Sequence, residues 1–140
     1  MNQDYGIGVI GVGKYLPKEE ITNDQLEEWT GIPATEIEEK TGIVTRRKAG
    51  REEVASDMAA KAAIMALESA GISADQLGLI VTCTFTGDYI YPAVSCKIQT
   101  LIGAKNAGTF DLMANCTGFQ VGLGVVSDRM KVDPSIKYAV

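Results

Sequence analysis

The chain has 140 residues, 46% of them hydrophobic and 22% charged, with a net charge of −5 at pH 7. That is one ordinary domain's worth of sequence, long enough to bury roughly two-thirds of its unfolded surface without disulfides or a metal. The acidic balance argues against non-specific nucleic-acid binding, which rests on Lys and Arg neutralising phosphates. The absence of histidine removes the commonest general base and the commonest zinc ligand.

Cys83, Cys96 and Cys116 stand 13 and 20 residues apart. An odd number at such spacings matches neither a disulfide framework nor a metal site, and reads as reduced thiols of a cytoplasmic protein. The opening "MNQDYGIGVIGVG" has no basic n-region and no A-x-A-like cleavage site. The longest uncharged run, 112–127, is shorter than the ~20 residues that span a bilayer, so no membrane partner is expected.

In chain order, "GIGVIG" at 6–11 formally matches the dinucleotide fingerprint G-x-G-x-x-G. Too few residues precede it for the usual strand, and Pro17 opposes a helix after it, so 7–12 is read as a buried first strand. "TNDQLEEW" places Thr22 as N-cap with Gln25 three residues on, a capping box opening a short helix through Trp29. A second helix follows, with Pro33 in its first turn, Glu36 to Lys40 as its body and Gly42 as its C′ residue. "VTRRKAGR" then gathers Arg46, Arg47, Lys48 and Arg51, read by default as a solvated loop.

Residues 52–70 are rich in strong helix formers, with Val54, Met58, Ala62 and Met65 predicted along one face and Gly71 as the stop. "LGLIVTCT" reads as a buried strand. "YPAVSCKIQTLIG" begins a helix after Pro92 whose Val94, Ile98, Leu101 and Ile102 share a face, and Cys96 within it reads as a packing residue. "TFDLM" is a further strand, 116–130 a further helix, and a last strand begins at Lys137. Strands alternating with helices imply parallel pairing in an α/β layered domain. The last strand stops after a few residues, so the domain is read as truncated there.

The helix after "TFDLMANC" contains Gly118, Gly122 and Gly124, each costing roughly 0.5–1 kcal/mol relative to alanine. With no charge before Asp128, it is expected to be central and buried. Cys116 would then stand at a helix N-terminus after a sharp strand-to-helix turn, where unsatisfied N–H groups and the helix dipole stabilise a thiolate, the reactive form. Spacing alone leaves a nucleophile and a small packing residue equally open.

Taken together, "GVGKYLP" followed by "TNDQLE", "EKTGIVTRR", "SADQLGLIVTCT", "YPAVSCKIQTLIG" and "FDLMANCTGF" make the chain resemble β-ketoacyl-acyl-carrier-protein synthase III and its thiolase-fold relatives from Ile7 to Val140. The resemblance implies a thiolase-like layered α/β fold (α/β/α/β/α in the complete enzyme). Residues 1–140 would be most of its N-terminal half-domain, with an incomplete, mainly parallel sheet. It implies that Cys116 takes an acyl group from acyl-CoA, after which a malonyl group on acyl carrier protein loses CO₂ and condenses with the acyl-cysteine. The family's His and Asn, which polarise the malonyl carbonyl, come from a C-terminal half that this chain lacks, so the chain alone is expected to be inactive. A homodimer is expected, with no permanently bound cofactor and no metal.

Carried over residue by residue, Glu36, Lys40 and Thr41 fall where the family meets the CoA adenine. Glu36 and Lys40 depart from the family's stacking tryptophan and arginine, whereas Thr41 is kept. A glutamate cannot stack on a base and repels phosphate. Arg46 and Arg47 become candidate contacts for pantetheine phosphate or for an acidic carrier protein. Tyr91 aligns with a position, often phenylalanine in the family, that reaches across the dimer to line the partner's acyl pocket, and it is expected to limit primer length. Three other readings remain beside this one: a synthase-III-like acyltransferase of secondary metabolism, a hydroxymethylglutaryl-CoA-synthase relative, and a non-catalytic half-module that needs a complementary chain.

Overall fold

The computed structural model describes residues 6–140, which divide into two compact units, one of the residues up to Tyr15 together with Val54–Val140, the other Leu16–Glu53.

The smaller unit is a two-stranded antiparallel ribbon with two helices. Strand β1 (Glu19–Thr22) pairs with β2 (Thr45–Lys48) in the register Glu19↔Lys48, Ile21↔Arg46. The loop expected at "VTRRKAGR" is therefore a strand over 45–48. Its charges find cross-strand partners, with Arg47 paired to Glu20 at 2.7 Å and Lys48 to Glu19 at 3.5 Å. Opposite charges facing one another across a ladder stabilise a ribbon that has no apolar alternation to announce it. Helix α1 (Asn23–Thr30) opens with the predicted capping box. The Gln25 N–H donates to Thr22 Oγ1, and the Thr22 N–H donates to Gln25 Oε1. Helix α2 (Ala34–Thr41) follows with Pro33 as its N-cap residue and Gly42 at φ 68°, the left-handed position that glycine accepts without strain.

The larger unit is a three-stranded, all-parallel sheet in the order β4-β3-β5. Strand β3 (Leu77–Cys83) is central. Strand β4 (Gly108–Leu112) lies beside it with Leu79↔Gly108 and Cys83↔Leu112 in register, and β5 (Tyr138–Ala139) lies on the other side. Helices α3 (Ala55–Ala70), α4 (Val94–Ile102) and α5 (Gly118–Val132) connect or follow the strands. Leu67, Leu77, Ile80, Val94, Ile98, Ala104 and Ala107 form the core, so helix apolar faces and a strand buried on both sides meet there.

Three expectations need correction. Residues 7–12 form no strand. They have no regular secondary structure, with Val9, Ile10 and Val12 exposed, and no described strand pairs with them. The glycines serve close approach: a Cβ on Gly13 would sit 2.0 Å from the Ala62 carbonyl oxygen, and one on Gly11 2.4 Å from that of Ala66. The buried face of α3 is Ser56, Ala60, Ala63 and Leu67, not the Val54–Met58–Ala62–Met65 stripe. In an alanine-rich helix apolar period does not choose the face, because every face is apolar enough and close packing selects the smallest side chains. Leu101, expected on the core face of α4, is 46% exposed, while Val94 and Ile98 are buried as predicted.

The fourth correction concerns α5, which was expected to be enclosed. Only Gly118 and Gly122 are buried, while Phe119, Val121, Leu123 and Val125 are exposed. Its glycine face sits on β3, where a Cβ at Gly122 would come within 2.5 Å of Cys83 Sγ. Phe119 and Leu123 flank the glycine face on one side and Val121 and Val125 on the other, and among the described residues nothing covers them.

Candidate active site

Strand β4 ends at Leu112, and the chain turns through Met113 and Ala114 into a one-turn 3₁₀ helix, Asn115–Thr117, before α5 begins. Cys116 is thus the middle of that turn, two residues ahead of the helix that was expected to start on it. Asn115 adopts φ 47°, the one described non-glycine residue in the left-handed region. Asparagine tolerates that conformation better than most residues, and the kink lets the chain reverse sharply enough to leave Cys116 exposed at the bend. The Thr117 N–H and hydroxyl both donate to the Ala114 carbonyl, closing the turn.

No side chain caps the start of α5. Its first N–H groups and the positive end of its dipole therefore face the turn that holds Cys116, with no carboxylate in competition. Beside the turn lies a cavity of about 530 Å³, lined by Gly13, the alanines of α3, the C-terminal part of β3, Asn115, Cys116 and Phe119. The wall is mainly apolar, with Thr82 and Asn115 as its polar residues, and the small α3 side chains leave room between that helix and the sheet. Cys83 lines the same cavity, and burial pushes its thiol above its ordinary value. Of the two thiols, Cys83 is thus disfavoured as a nucleophile.

Two carboxylates that sequence reasoning left without a role hold this unit's loops. Asp111, on β4, accepts from the Val94 N–H at 2.6 Å and the Ser95 N–H at 2.8 Å, so it caps α4. Asp88 accepts from the Ser56 N–H at 3.0 Å and from Lys97 Nζ at 3.1 Å. Burial alone would raise the Asp88 pKa, but hydrogen bonds from Ser56 and the Lys97 ammonium outweigh it and hold the carboxyl below the usual range. The signal for Asp111 was an acid within an apolar strand that precedes no polar segment. For Asp88 it was an acid between Gly87 and three bulky residues.

The remaining predicted residues each have a local setting of their own. Glu36, Lys40, Thr41, Arg46 and Arg47 belong to the smaller unit, where each has a local partner. Glu36 pairs with Lys40 within α2, and Thr41 Oγ1 donates to the Ile37 carbonyl. Arg46 donates to Asn23 Oδ1 at 2.7 Å and to the Ile21 carbonyl, while Arg47 engages Glu20. Tyr91 is 88% exposed and does not line the cavity. Cys96 Sγ is hydrogen-bonded with Thr109 Oγ1 at 3.2 Å inside the α4–β4 packing, in keeping with a packing role. No group of three or more His, Cys, Asp or Glu among the described residues is arranged to hold a metal, and no described helix is long and apolar enough to cross a membrane.

The fold that carries this cysteine, a parallel sheet flanked by helices, has counterparts among solved structures. The 3-oxoacyl-[acyl-carrier-protein] synthase III of Aquifex aeolicus matches 96% of this chain and 43% of its own, with a TM-score of 0.88 and 35% identity. The priming β-ketosynthase of the R1128 polyketide biosynthetic pathway matches 88% of this chain and 37% of its own, with a TM-score of 0.84 and 37% identity. The fold is that of the thiolase-like condensing enzymes. Among curated proteins, β-ketoacyl-[acyl-carrier-protein] synthase III of Escherichia coli is 39% identical over 132 residues, 94% of this chain and 41% of the relative. That of Oceanobacillus iheyensis is 44% identical over 117 residues, 84% of this chain and 38% of the relative. No family model matches the chain. Over the stretch it spans, the chain is similar to β-ketoacyl-[acyl-carrier-protein] synthase III, and it spans about 40% of the length of these relatives, consistent with an N-terminal half.

Proposed function

We propose that this chain carries the nucleophile of a synthase III-type condensing enzyme of fatty-acid initiation, with Cys116 as the acyl-accepting residue. The observation that supports the reading above all is Cys116 itself, exposed at a kinked turn before an uncapped helix, on the wall of an apolar cavity. In this reading the Cys116 thiolate attacks the carbonyl carbon of an acyl-CoA. The new carbon–sulfur bond forms as the bond to coenzyme A breaks, and CoA leaves as its thiolate. The acyl chain lies in the apolar cavity. A malonyl group on acyl carrier protein then loses CO₂, the electron pair left behind attacks the acyl carbonyl, and the cysteine thiolate is released. The groups that polarise the malonyl carbonyl belong to a C-terminal half outside this chain, and the enzyme works as a cytoplasmic homodimer. Tyr91 limits primer length from across the dimer interface, and Lys40, Thr41, Arg46 and Arg47 meet the CoA or the carrier protein. Glu36 and Lys40, in place of the stacking pair, fit a relative that loads from a less usual donor. The likeness to a polyketide priming ketosynthase supports secondary metabolism as a second reading.

The exposed apolar face of α5 favours a third reading, a half-module that acts only by pairing with a complementary chain. One experiment separates them: intact-mass spectrometry of the natural full-length protein before and after incubation with a panel of acyl-CoAs, followed by peptide mapping. An acyl adduct on Cys116 that disappears in Cys116→Ala supports the condensing enzyme and names its primer. A protein that no acyl-CoA or acyl-carrier protein modifies leaves the half-module in front.

A further inference from the structure

The segment 84–93 between β3 and α4 combines two opposite properties. Tyr89, Ile90 and Tyr91 are 61%, 107% and 88% exposed, an apolar and aromatic tip standing free of the unit that carries it. The side chain of Asp88, immediately before them, is 2% exposed. Its two oxygens are divided between two helices: Oδ1 accepts from the Ser56 N–H in the first turn of α3, and Oδ2 from Lys97 Nζ on α4. Lys97 also lies 5.6 Å from the centroid of the Tyr89 ring, so the same ammonium touches the carboxylate and the first residue of the tip. On the other side of Asp88, Gly87 packs so closely that a Cβ there would come 2.7 Å from Val94 Cγ2. A buried carboxylate left without either partner is costly, so this arrangement fixes the backbone at one point just before the exposed residues.

We infer that Asp88, clasped between Ser56 and Lys97, is a positioning residue that aims the Tyr89–Tyr91 tip, and through Tyr91 sets the acyl-chain preference of the assembled enzyme. The inference rests on the proposed role of Tyr91 for its second half only. The clasp removes conformational freedom from a tip that otherwise has no packing of its own, so the ring is presented in one place.

The test uses the full-length enzyme with Asp88→Ala, Lys97→Met, Tyr91→Ala and the double variant Asp88→Ala/Tyr91→Ala. Two quantities are read: amide hydrogen exchange across 84–93, and the ratio of kcat/KM for a short against a longer acyl-CoA. Asp88→Ala and Lys97→Met should each speed exchange in that segment about tenfold while leaving α5 unchanged. Both should move the ratio in the same direction as Tyr91→Ala, and Asp88→Ala should add nothing in the Tyr91→Ala background. Lys97→Met keeps the Ser56 bond and serves if Asp88→Ala fails to fold. Unchanged exchange in 84–93 overturns the clasp whatever Tyr91→Ala does. Faster exchange with an unmoved ratio, where Tyr91→Ala does move it, overturns the link from clasp to chain preference. If Tyr91→Ala itself leaves the ratio unmoved while exchange rises, the Tyr91 reading fails and Asp88 stands as the clasp of the tip.

Discussion

Helices α4 and α5 each follow a strand of the same parallel sheet, yet they are held in opposite ways. Helix α4 buries Val94, Ser95 and Ile98 and has its first N–H groups taken by the Asp111 carboxylate. Helix α5 buries two glycines, has no side-chain cap and turns Phe119, Val121, Leu123 and Val125 outward. The first is a finished piece of structure, in which cap and apolar stripe agree. In the second, no side chain takes up the first N–H groups at the end where Cys116 stands, and the positive end of the dipole is left without a carboxylate such as Asp111 to neutralise it.

The largest expected effect is at this uncapped end. In the full-length enzyme Cys116→Ala should lower acylation by roughly a thousandfold or more, whereas Cys83→Ala, on the same cavity, should leave it within a few-fold. Equal losses from both, measured as single-turnover acylation, would break the distinction between the two thiols. The capped end gives the next effect. Asp111→Ala should cost about 1–3 kcal/mol by denaturant unfolding, since it strips a charged acceptor from two N–H groups, and Asp111→Asn less. A comparable loss, about 1–3 kcal/mol, is expected for Gly122→Ala, whose Cβ meets Cys83 Sγ at 2.5 Å, and pairing it with Cys83→Gly should recover most of it.

Acid should weaken the α3–α4 side of the molecule. The Asp88 carboxyl is held below its ordinary value, so its contribution is fully present above about pH 4–5 and lost as pH falls through the folded value. Thermal melts from pH 7 down to about pH 3 should show a smaller acid-induced drop in Asp88→Asn than in the parent; parallel curves would remove Asp88 from the acid response. The smallest effect is expected on the solvent side of α5. Leu123→Ser should change the stability of the isolated chain by less than about 0.5 kcal/mol while reducing its self-association in sedimentation velocity, because the side chain is 47% exposed.

How far the sequence could be read depended on how local each signal was. The capping box of Thr22 and Gln25 and the left-handed glycines at 42 and 71 were legible because the partners lie within three or four residues. Cys116 was legible as a candidate from the strand and the glycine-rich helix around it. Its kink at Asn115 was not, since a left-handed asparagine has no signature of its own. The strand at 45–48 was hidden because its partner lies more than twenty residues upstream and the pairing rests on charge rather than on apolar alternation.

By itself the sequence determined what chain neighbours decide: the helices and their stops, the parallel α/β order, and a cysteine at a strand-to-helix junction. Tertiary structure decided what depends on distant backbone. It turned α3 onto its serine and alanine face, laid the opening glycines on that helix instead of in a sheet, and gave Asp88 and Asp111 helix starts to hold. The physical reason is that hydrophobic period and capping are short-range, whereas close packing and the satisfaction of buried carboxylates depend on which segments meet.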